Sequence, residues 1–419
     1  MRARHLVIGF GVVIGAGCAP GGPAPAPAPA AVRPGIEVLL TDSAHLVRGV
    51  RVGLLTNHTG VDRAGRRDVD LLRAAGVAIT TLFTPEHGFR GTEDRPDLAD
   101  TADSATGLPI YSVYGATRTP DLSALDSIDV LLIDLQDIGA RYYTYASTAV
   151  LMMRDAARRR VRVVVLDRPN PIGGAVVQGN VRPWTGELAP FVGFLPVPMR
   201  HGMTLGELAL LANAEFTLAT DLVVVPAAGW RRELLYDHTG LPWVRPSPAM
   251  PELESALHYP GLCLFEGTNV SVGRGTPLAF QVVGAPWLEP RRVLEALGVG
   301  EGGRGKGEGL AGVEIAAVEF TPVEPTDAKY GGVTLPGLRL RVTDRSRYDP
   351  TRAALALIAA LRAAHPDSFR FRAERFDLLT GDPEVRVSLQ QGLELAAVWS
   401  VWGGALRRFK DRRAKYLLY

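Results

Sequence analysis

The sequence predicts an α/β protein in two parts: a Rossmann-like, doubly wound parallel-sheet domain and a smaller α+β C-terminal domain, with a cleft between them. Five apolar runs rich in Val, Ile and Leu, at 52–55, 79–83, 130–133, 163–166 and 222–225, lack polar alternation, as expected of strands buried on both faces of a parallel sheet. Helical patterns fill the gaps, and strand–helix alternation of this kind builds doubly wound sheets. Past residue 230 the alternation gives way to mixed patterns, so the expected domains are 36–230 and 231–419.

Residues 1–35 belong to neither domain. Arg2 and Arg4 precede an apolar run over 6–14, too short to span a membrane and patterned as an export signal. Gly15-Ala16-Gly17-Cys18 then sets small residues before a cysteine, as a lipoprotein signal peptidase requires, although Gly15 stands where Leu, Val or Ile is usual. The expectation is an exported protein whose only contact with a membrane is a lipid on Cys18, with simple secretion as the alternative. The Pro- and Ala-dominated stretch 19–34 cannot build a core and reads as a tether. A lipidated Cys18 leaves Cys263 without a partner, so no disulfide framework is expected.

Strand 52–55 runs into Thr56-Asn57-His58-Thr59-Gly60 instead of a Gly-x-Gly-x-x-Gly turn, which disfavours a dinucleotide. A helix at 69–75 leads to strand 79–83, and a helix at 146–159 separates strands 130–133 and 163–166. Thr204 and Glu207 form a capping pair ahead of the helical run 208–213, and strand 222–225 follows. In the second part, 313–320 and 338–342 read as strands and 351–363 as a helix. The Gly-rich stretch 298–312 follows no strand and holds no Gly-Lys-Ser/Thr, so it reads as a surface loop and not as a phosphate cradle.

The chain is long enough, at 419 residues, for two packed domains, and 47% hydrophobic content is too apolar for a disordered one. The formal net charge is +2 and the Lys and Arg residues are scattered, which excludes a nucleic-acid partner from consideration.

Ligands of open α/β sheets bind outside the carboxyl ends of the strands, so the residues that follow each apolar run are the informative ones. They are Asn57 and His58; Glu86 and His87 in Thr84-Pro85-Glu86-His87-Gly88; Asp134 and Asp137; and Asp167, Arg168 and Asn170. Glu86, held between Pro85 and Gly88, is the principal candidate for an acid, against the alternative of a capping or solvated loop carboxylate. Asp134 and Asp137, three apart, are candidates for a base, a nucleophile or a sugar-hydroxyl acceptor, or are structural. Arg141 with Tyr142 and Tyr143 combines a carboxylate-binding fork with faces on which a pyranose stacks, core packing being the alternative. In the second domain Glu266, Asn269 and Arg274 lie in a polar, Gly-rich stretch suited to binding. Glu266 is the rival acid or the ion-pair partner of Arg274.

His58, His87 and His201 show no His-Glu-x-x-His spacing, and no metal or other cofactor is expected. No Gly-x-Ser-x-Gly elbow is present either.

Read together, the stretches 52–60, 83–91, 134–145 and 166–171 resemble the exo-β-N-acetylmuramidase (NamZ) family, and the matches at 198–207, 259–261, 265–269 and 273–276 extend the resemblance through both domains. The resemblance implies a glycoside hydrolase that releases N-acetylmuramic acid from the non-reducing end of peptidoglycan fragments, in a cleft between the domains. Glu86 falls on the family's proposed catalytic glutamate. Glycoside cleavage needs a second group at the developing oxocarbenium ion; Asp134, Asp137 or the sugar's own acetamido oxygen are the choices. Muramic acid differs from glucosamine by a lactyl carboxylate, for which Arg274 is the favoured reader and Arg141 the other candidate. Two other classes compete: a non-catalytic muropeptide-binding lipoprotein, and a Rossmann-type hydrolase or transferase of another substrate.

Overall fold

The computed structural model describes residues 31–93, 98–114, 122–300 and 309–419. The export signal, Cys18 and most of the tether lie outside the described residues, as does 301–308 of the Gly-rich loop. Twelve strands are described: β1 (Arg51–Thr56), β2 (Ala78–Thr84), β3 (Thr101–Ala102), β4 (Pro109–Ser112), β5 (Val130–Asp134), β6 (Arg162–Leu166), β7 (Gln178–Val181), β8 (Pro198–Arg200), β9 (Leu222–Val225), β10 (Val282–Gly284), β11 (Val313–Phe320) and β12 (Leu335–Val342). The helices are α1 (Gly35–Asp42), α2 (Asp68–Ala74), α3 (Thr144–Arg158), α4 (Leu205–Glu215), α5 (Leu253–Leu262), α6 (Pro290–Ala296), α7 (Pro350–Ala364), α8 (Ala373–Thr380), α9 (Pro383–Gln391) and α10 (Leu395–Arg413).

All five apolar runs are strands of one sheet, ordered β3-β4-β2-β1-β5-β6-β9 and parallel throughout except for β3. Both faces are covered, which is why the runs show no alternation. Val52, Leu54, Val130, Leu132 and Val164 face a core shared with α1 and α2, while Leu55, Leu131, Ile133, Val163 and Val165 face the core of α3 and α4. The chain leaves β1 toward β2 and β4, then returns to β5 and proceeds the other way. Strand order therefore reverses between β1 and β5, the position at which such sheets open a crevice at their carboxyl edge. Helix α4 begins with the expected capping box: Thr204 accepts from Glu207 N, and the Glu207 side chain accepts from Thr204 N.

The second part contains an antiparallel sheet ordered β10-β12-β11, packed with α5, α6 and α7. Helix α5 is not among the elements expected from the sequence. Pro260 lies inside it, and a Cβ on Gly261 would stand 1.8 Å from the Pro350 carbonyl oxygen, so glycine is what lets α5 meet α7. The chain does not end in this second part. Helix α10 packs on β7, Arg413 Nη1 donates to the carbonyls of Gly174 (3.0 Å) and Gly202 (2.7 Å), and the Tyr419 hydroxyl donates to Asp167 at 2.8 Å. Residues 31–419 thus form one compact unit.

Candidate active site

Strand β2 delivers Glu86 to the crevice. Immediately after it, His87 and Gly88 adopt φ of 73° and 72°, a left-handed pair costly for histidine and of a kind that concentrates at functional sites. The turn is fixed by Gly88 N on the Pro85 carbonyl (3.2 Å) and by His87 Nδ1 against the Glu93 carbonyl (3.0 Å). Both Glu86 oxygens are engaged by hydroxyl groups: Tyr114 Oη on Oε1 at 3.0 Å and Thr144 Oγ1 on Oε2 at 2.5 Å. Thr144 is the first residue of α3, so the helix start fixes one oxygen and the segment after β4 the other.

Glu86 lines a pocket with about 620 Å³ of atom-free space, partly open to solvent, whose walls come from both halves of the chain. Aromatic rings build much of it. Tyr143 stands edge-on to Tyr259 at 6.0 Å and to Tyr145 at 4.8 Å, and Tyr259 is edge-on to Phe280 at 4.7 Å. The Tyr142 hydroxyl donates to the Pro260 carbonyl, tying the segment before α3 to α5. The Tyr143 side chain lines the pocket, its hydroxyl buried on the side of Tyr145.

The opposite wall is charged. Glu266, on the 3₁₀ turn Cys263–Gly267, accepts from Arg274 Nε (3.1 Å) and Nη2 (2.6 Å) on Oε1, and from Arg375 Nη2 (2.8 Å) on Oε2. A Cβ on Gly267 would lie 2.5 Å from Phe376 Cα, so glycine is what brings the turn against α8, where Arg375 sits. Burial opposes ionisation of Glu266, but Arg274 and then Arg375 outweigh it and hold the carboxyl down to about 2. It is therefore a permanent anion at neutral pH, unsuited to donating a proton. Lys329, pushed down to about 8 mainly by burial, donates to the carbonyls of Phe265, within this turn, and of Val270, just after it. Cys263 also lines the pocket, with burial pushing its thiol up.

The structure thus gathers Glu86, His87, Tyr142, Tyr143, Glu266 and Arg274 at one pocket. The other expected site residues do not line this pocket. Asp134 is fully buried and bidentate on Arg168, at 2.5 and 2.9 Å. Burial, and next the proximity of Asp134, hold the carboxyl of Asp68 well above its ordinary range, and burial raises that of Asp134 too, against the pull of Arg168. Asp137 accepts from Gly139 N at 2.6 Å and stands 3.4 Å from His201 Nε2. Neither aspartate lines the pocket, because strand-end carboxylates here serve backbone amides and a buried arginine.

Arg141 is fully buried, and its two Nη groups donate to the carbonyls of Asn180, Val197, Leu379 and Thr380 at 2.7–3.0 Å. Burial lowers it to about 10, which keeps it charged at neutral pH. It holds the end of α8 instead of facing the pocket. Asn57 bonds Tyr145 and Thr59, and His58 Nε2 lies 2.6 Å from the Arg245 carbonyl; both line a separate hollow. Asp167 accepts from Gly206 N and Tyr419, Asn170 ties Met203 to Ile172, and Asn269 spans Ser368 and Arg370. His58, His87 and His201 are engaged separately, each with its own neighbours. Sequence reading missed Tyr114, Thr144, Tyr259, Lys329 and Arg375; of these only Thr144 and Tyr259 lie inside stretches that carried a motif.

A larger groove, lined by alanines of α7 and by Trp399, offers Glu394 as its one charged group and no proton donor set among hydroxyls. A Rossmann-like sheet joined to a smaller α+β part, with a single hydroxyl-held carboxyl facing aromatic and cationic walls, defines a two-domain glycoside hydrolase. The chain belongs to the exo-β-N-acetylmuramidase NamZ family, matching its N-terminal domain over residues 52–254 and its C-terminal domain over 257–419. It is 37% identical over 413 residues to the peptidoglycan β-N-acetylmuramidase NamZ of Bacillus subtilis (strain 168), covering 98% of this chain and 97% of that one. Two crystal structures of DUF1343 family proteins from Bacteroides fragilis NCTC 9343 share the fold, with TM-scores of 0.82 and 0.73 and identities of 35% and 31%. Each covers 93% of this chain and 99% of the other.

Proposed function

We propose that the protein is an exo-acting hydrolase that releases N-acetylmuramic acid from the non-reducing end of peptidoglycan fragments during cell-wall turnover, with Glu86 as the general acid. The observation that carries the assignment is the Glu86 carboxyl held by Tyr114 and Thr144 at the mouth of a tyrosine-lined pocket. An acid so oriented protonates the leaving oxygen as the glycosidic bond breaks. The pocket's second carboxylate, Glu266, is neutralised by two arginines, and Asp134 and Asp137 lie outside it. This favours the substrate's own acetamido oxygen as the group that meets the oxocarbenium ion. In this reading the enzyme is exported and anchored through Cys18.

The test is incubation of the purified protein with a defined N-acetylmuramic acid–N-acetylglucosamine disaccharide, with and without chelator, followed by NMR of the products. Release of N-acetylmuramic acid, unaffected by chelator and with retained anomeric configuration at first appearance, is expected. Binding without turnover would support the non-catalytic alternative.

A further inference from the structure

We propose that the end of helix α10, with the turn that follows it, docks on an anionic phospholipid surface, a second membrane contact besides the lipid on Cys18. The inference rests on the exported, Cys18-anchored part of the reading above and adds to it how the anchored domain lies on the bilayer. Over most of the chain the cations are scattered, but between residues 395 and 419 they gather. Arg407, Arg408, Lys410, Arg412, Arg413 and Lys415 stand there against Asp411 as the one acidic side chain. Arg412 and Arg413 are committed to the body of the protein, the first to Glu215 and the Pro196 carbonyl, the second to the carbonyls of Gly174 and Gly202. Arg407, Arg408, Lys410 and Lys415 are exposed, and none makes a hydrogen bond or ion pair among the described residues. They are available to an external anion.

The shape of the helix says which anion fits. Its apolar side, Trp399, Trp402 and Phe409, is buried in the protein, so the cations lie on the outer side. Val401, 74% exposed, shares that outer side with Arg408, two helical turns on, and Lys415 continues the row. A row of cations beside an exposed apolar residue suits a headgroup layer, which meets it with many phosphates in one plane. The contact is shallow, since no helix among the described residues is long and apolar enough to cross a membrane. The tether enters the fold at the same place. Val32 is buried with Ala227 and Trp230, and Tyr419 packs edge-on to Trp230 at 4.8 Å while its hydroxyl accepts from Ala227 N at 2.8 Å. The chain from Cys18 to Val32 reaches at most about 50 Å when fully extended. A lipid on Cys18 therefore keeps this basic end close to the bilayer, where a weak attraction acts at high effective concentration.

The test is sedimentation of residues 31–419 with vesicles of phosphatidylcholine alone and of phosphatidylcholine mixed with phosphatidylglycerol. This compact unit holds every residue of the described cores, so it folds without the tether, and neither the apolar run 6–14 nor a lipid contributes. Each cation that reaches an anionic surface raises partition roughly fivefold, so binding to the anionic vesicles should exceed that to the neutral ones by roughly 10²-fold. In about 1 M salt, where the screening length is about 3 Å, the protein should be released. The Arg407→Gln/Arg408→Gln/Lys415→Gln variant should fall to within about fivefold of neutral binding. Its turnover of soluble disaccharide should be unchanged, because none of the three lines the Glu86 pocket. Equal partition onto both vesicles, undiminished binding by the triple variant, or tighter binding to a DNA duplex than to the anionic vesicles overturns the proposal. Vesicle binding is read apart from lipidation and from turnover. A Cys18 found unlipidated in cells would refute the anchor, and an uncleaved disaccharide the muramidase reading, each leaving the surface contact standing.

Discussion

Thr144 Oγ1 donates to Glu86 Oε2 at 2.5 Å, joining the first residue of α3 to the carboxyl delivered by β2. The two elements flank the point where the sheet reverses direction, so the fold itself sets the orientation of this carboxyl. Tyr114 fixes the other oxygen. Removing either hydroxyl should leave the carboxyl in place but free to rotate. Thr144→Val and Tyr114→Phe are each expected to lower kcat roughly tenfold with little change in KM, since a hydrogen bond to a charged or ionisable group contributes about 1.5–3 kcal/mol. Steady-state kinetics of the double variant at the wild-type rate would remove the orienting role.

Arg141 is expected to be structural. Its four carbonyl partners lie in two distant parts of the chain, 180–197 and 379–380. Arg141→Ala leaves them buried without donors, at a cost of roughly 3 kcal/mol or more. Urea unfolding should show this loss, and any surviving activity should fall equally on acidic and neutral sugars. A variant of normal stability with altered sugar preference would return Arg141 to the site.

Glu266 links the site to acid stability. Its folded value of about 2, against an ordinary 4.5, means that its contribution is present above about 4.5 and is lost as pH falls through about 2. The gap corresponds to roughly 3 kcal/mol. Glu266→Gln should therefore be less stable than the wild type at neutral pH, and the difference should close in acid. A difference independent of pH between 6 and about 2 would mean that the ion pairs contribute nothing.

Asp167 has the opposite sign. Burial pushes its carboxyl up to about 6 from an ordinary 3.8, despite bonds from Thr204, Gly206 and Tyr419. Its stabilising effect is complete below about 3.8 and is lost as pH rises through about 6, by roughly 3 kcal/mol. Asp167→Asn keeps an acceptor for Gly206 N and should flatten thermal stability between pH 4 and 8. An unchanged profile would place the titration elsewhere.

Much of the architecture was legible because burial on both faces leaves an unbroken apolar signature, as at 130–133 and 163–166. Glu86 was legible for a related reason, since the end of such a strand must meet the crevice. The pairing of Glu266 with Arg274 was readable from proximity in sequence. Arg375 was not: it lies 109 residues from Glu266, in a stretch without a motif, and only the close approach of Gly267 to Phe376 joins them. Arg141 was misplaced because its neighbours in sequence are tyrosines of the pocket, whereas its partners are carbonyls as far as 239 residues away. The return of α10 and Tyr419 to the first domain has no local signature at all.

The central claim is that Glu86 supplies the proton to the leaving group, and the most direct measurement compares Glu86→Gln on two substrates that differ in their need for that proton. On the N-acetylmuramic acid–N-acetylglucosamine disaccharide, whose leaving sugar oxygen must be protonated, turnover should fall roughly 10²- to 10⁴-fold. On a dinitrophenyl glycoside of N-acetylmuramic acid, whose leaving group departs as a stable anion, bond cleavage should fall less than about tenfold. Comparable losses on both substrates would contradict the assignment of Glu86 as the general acid.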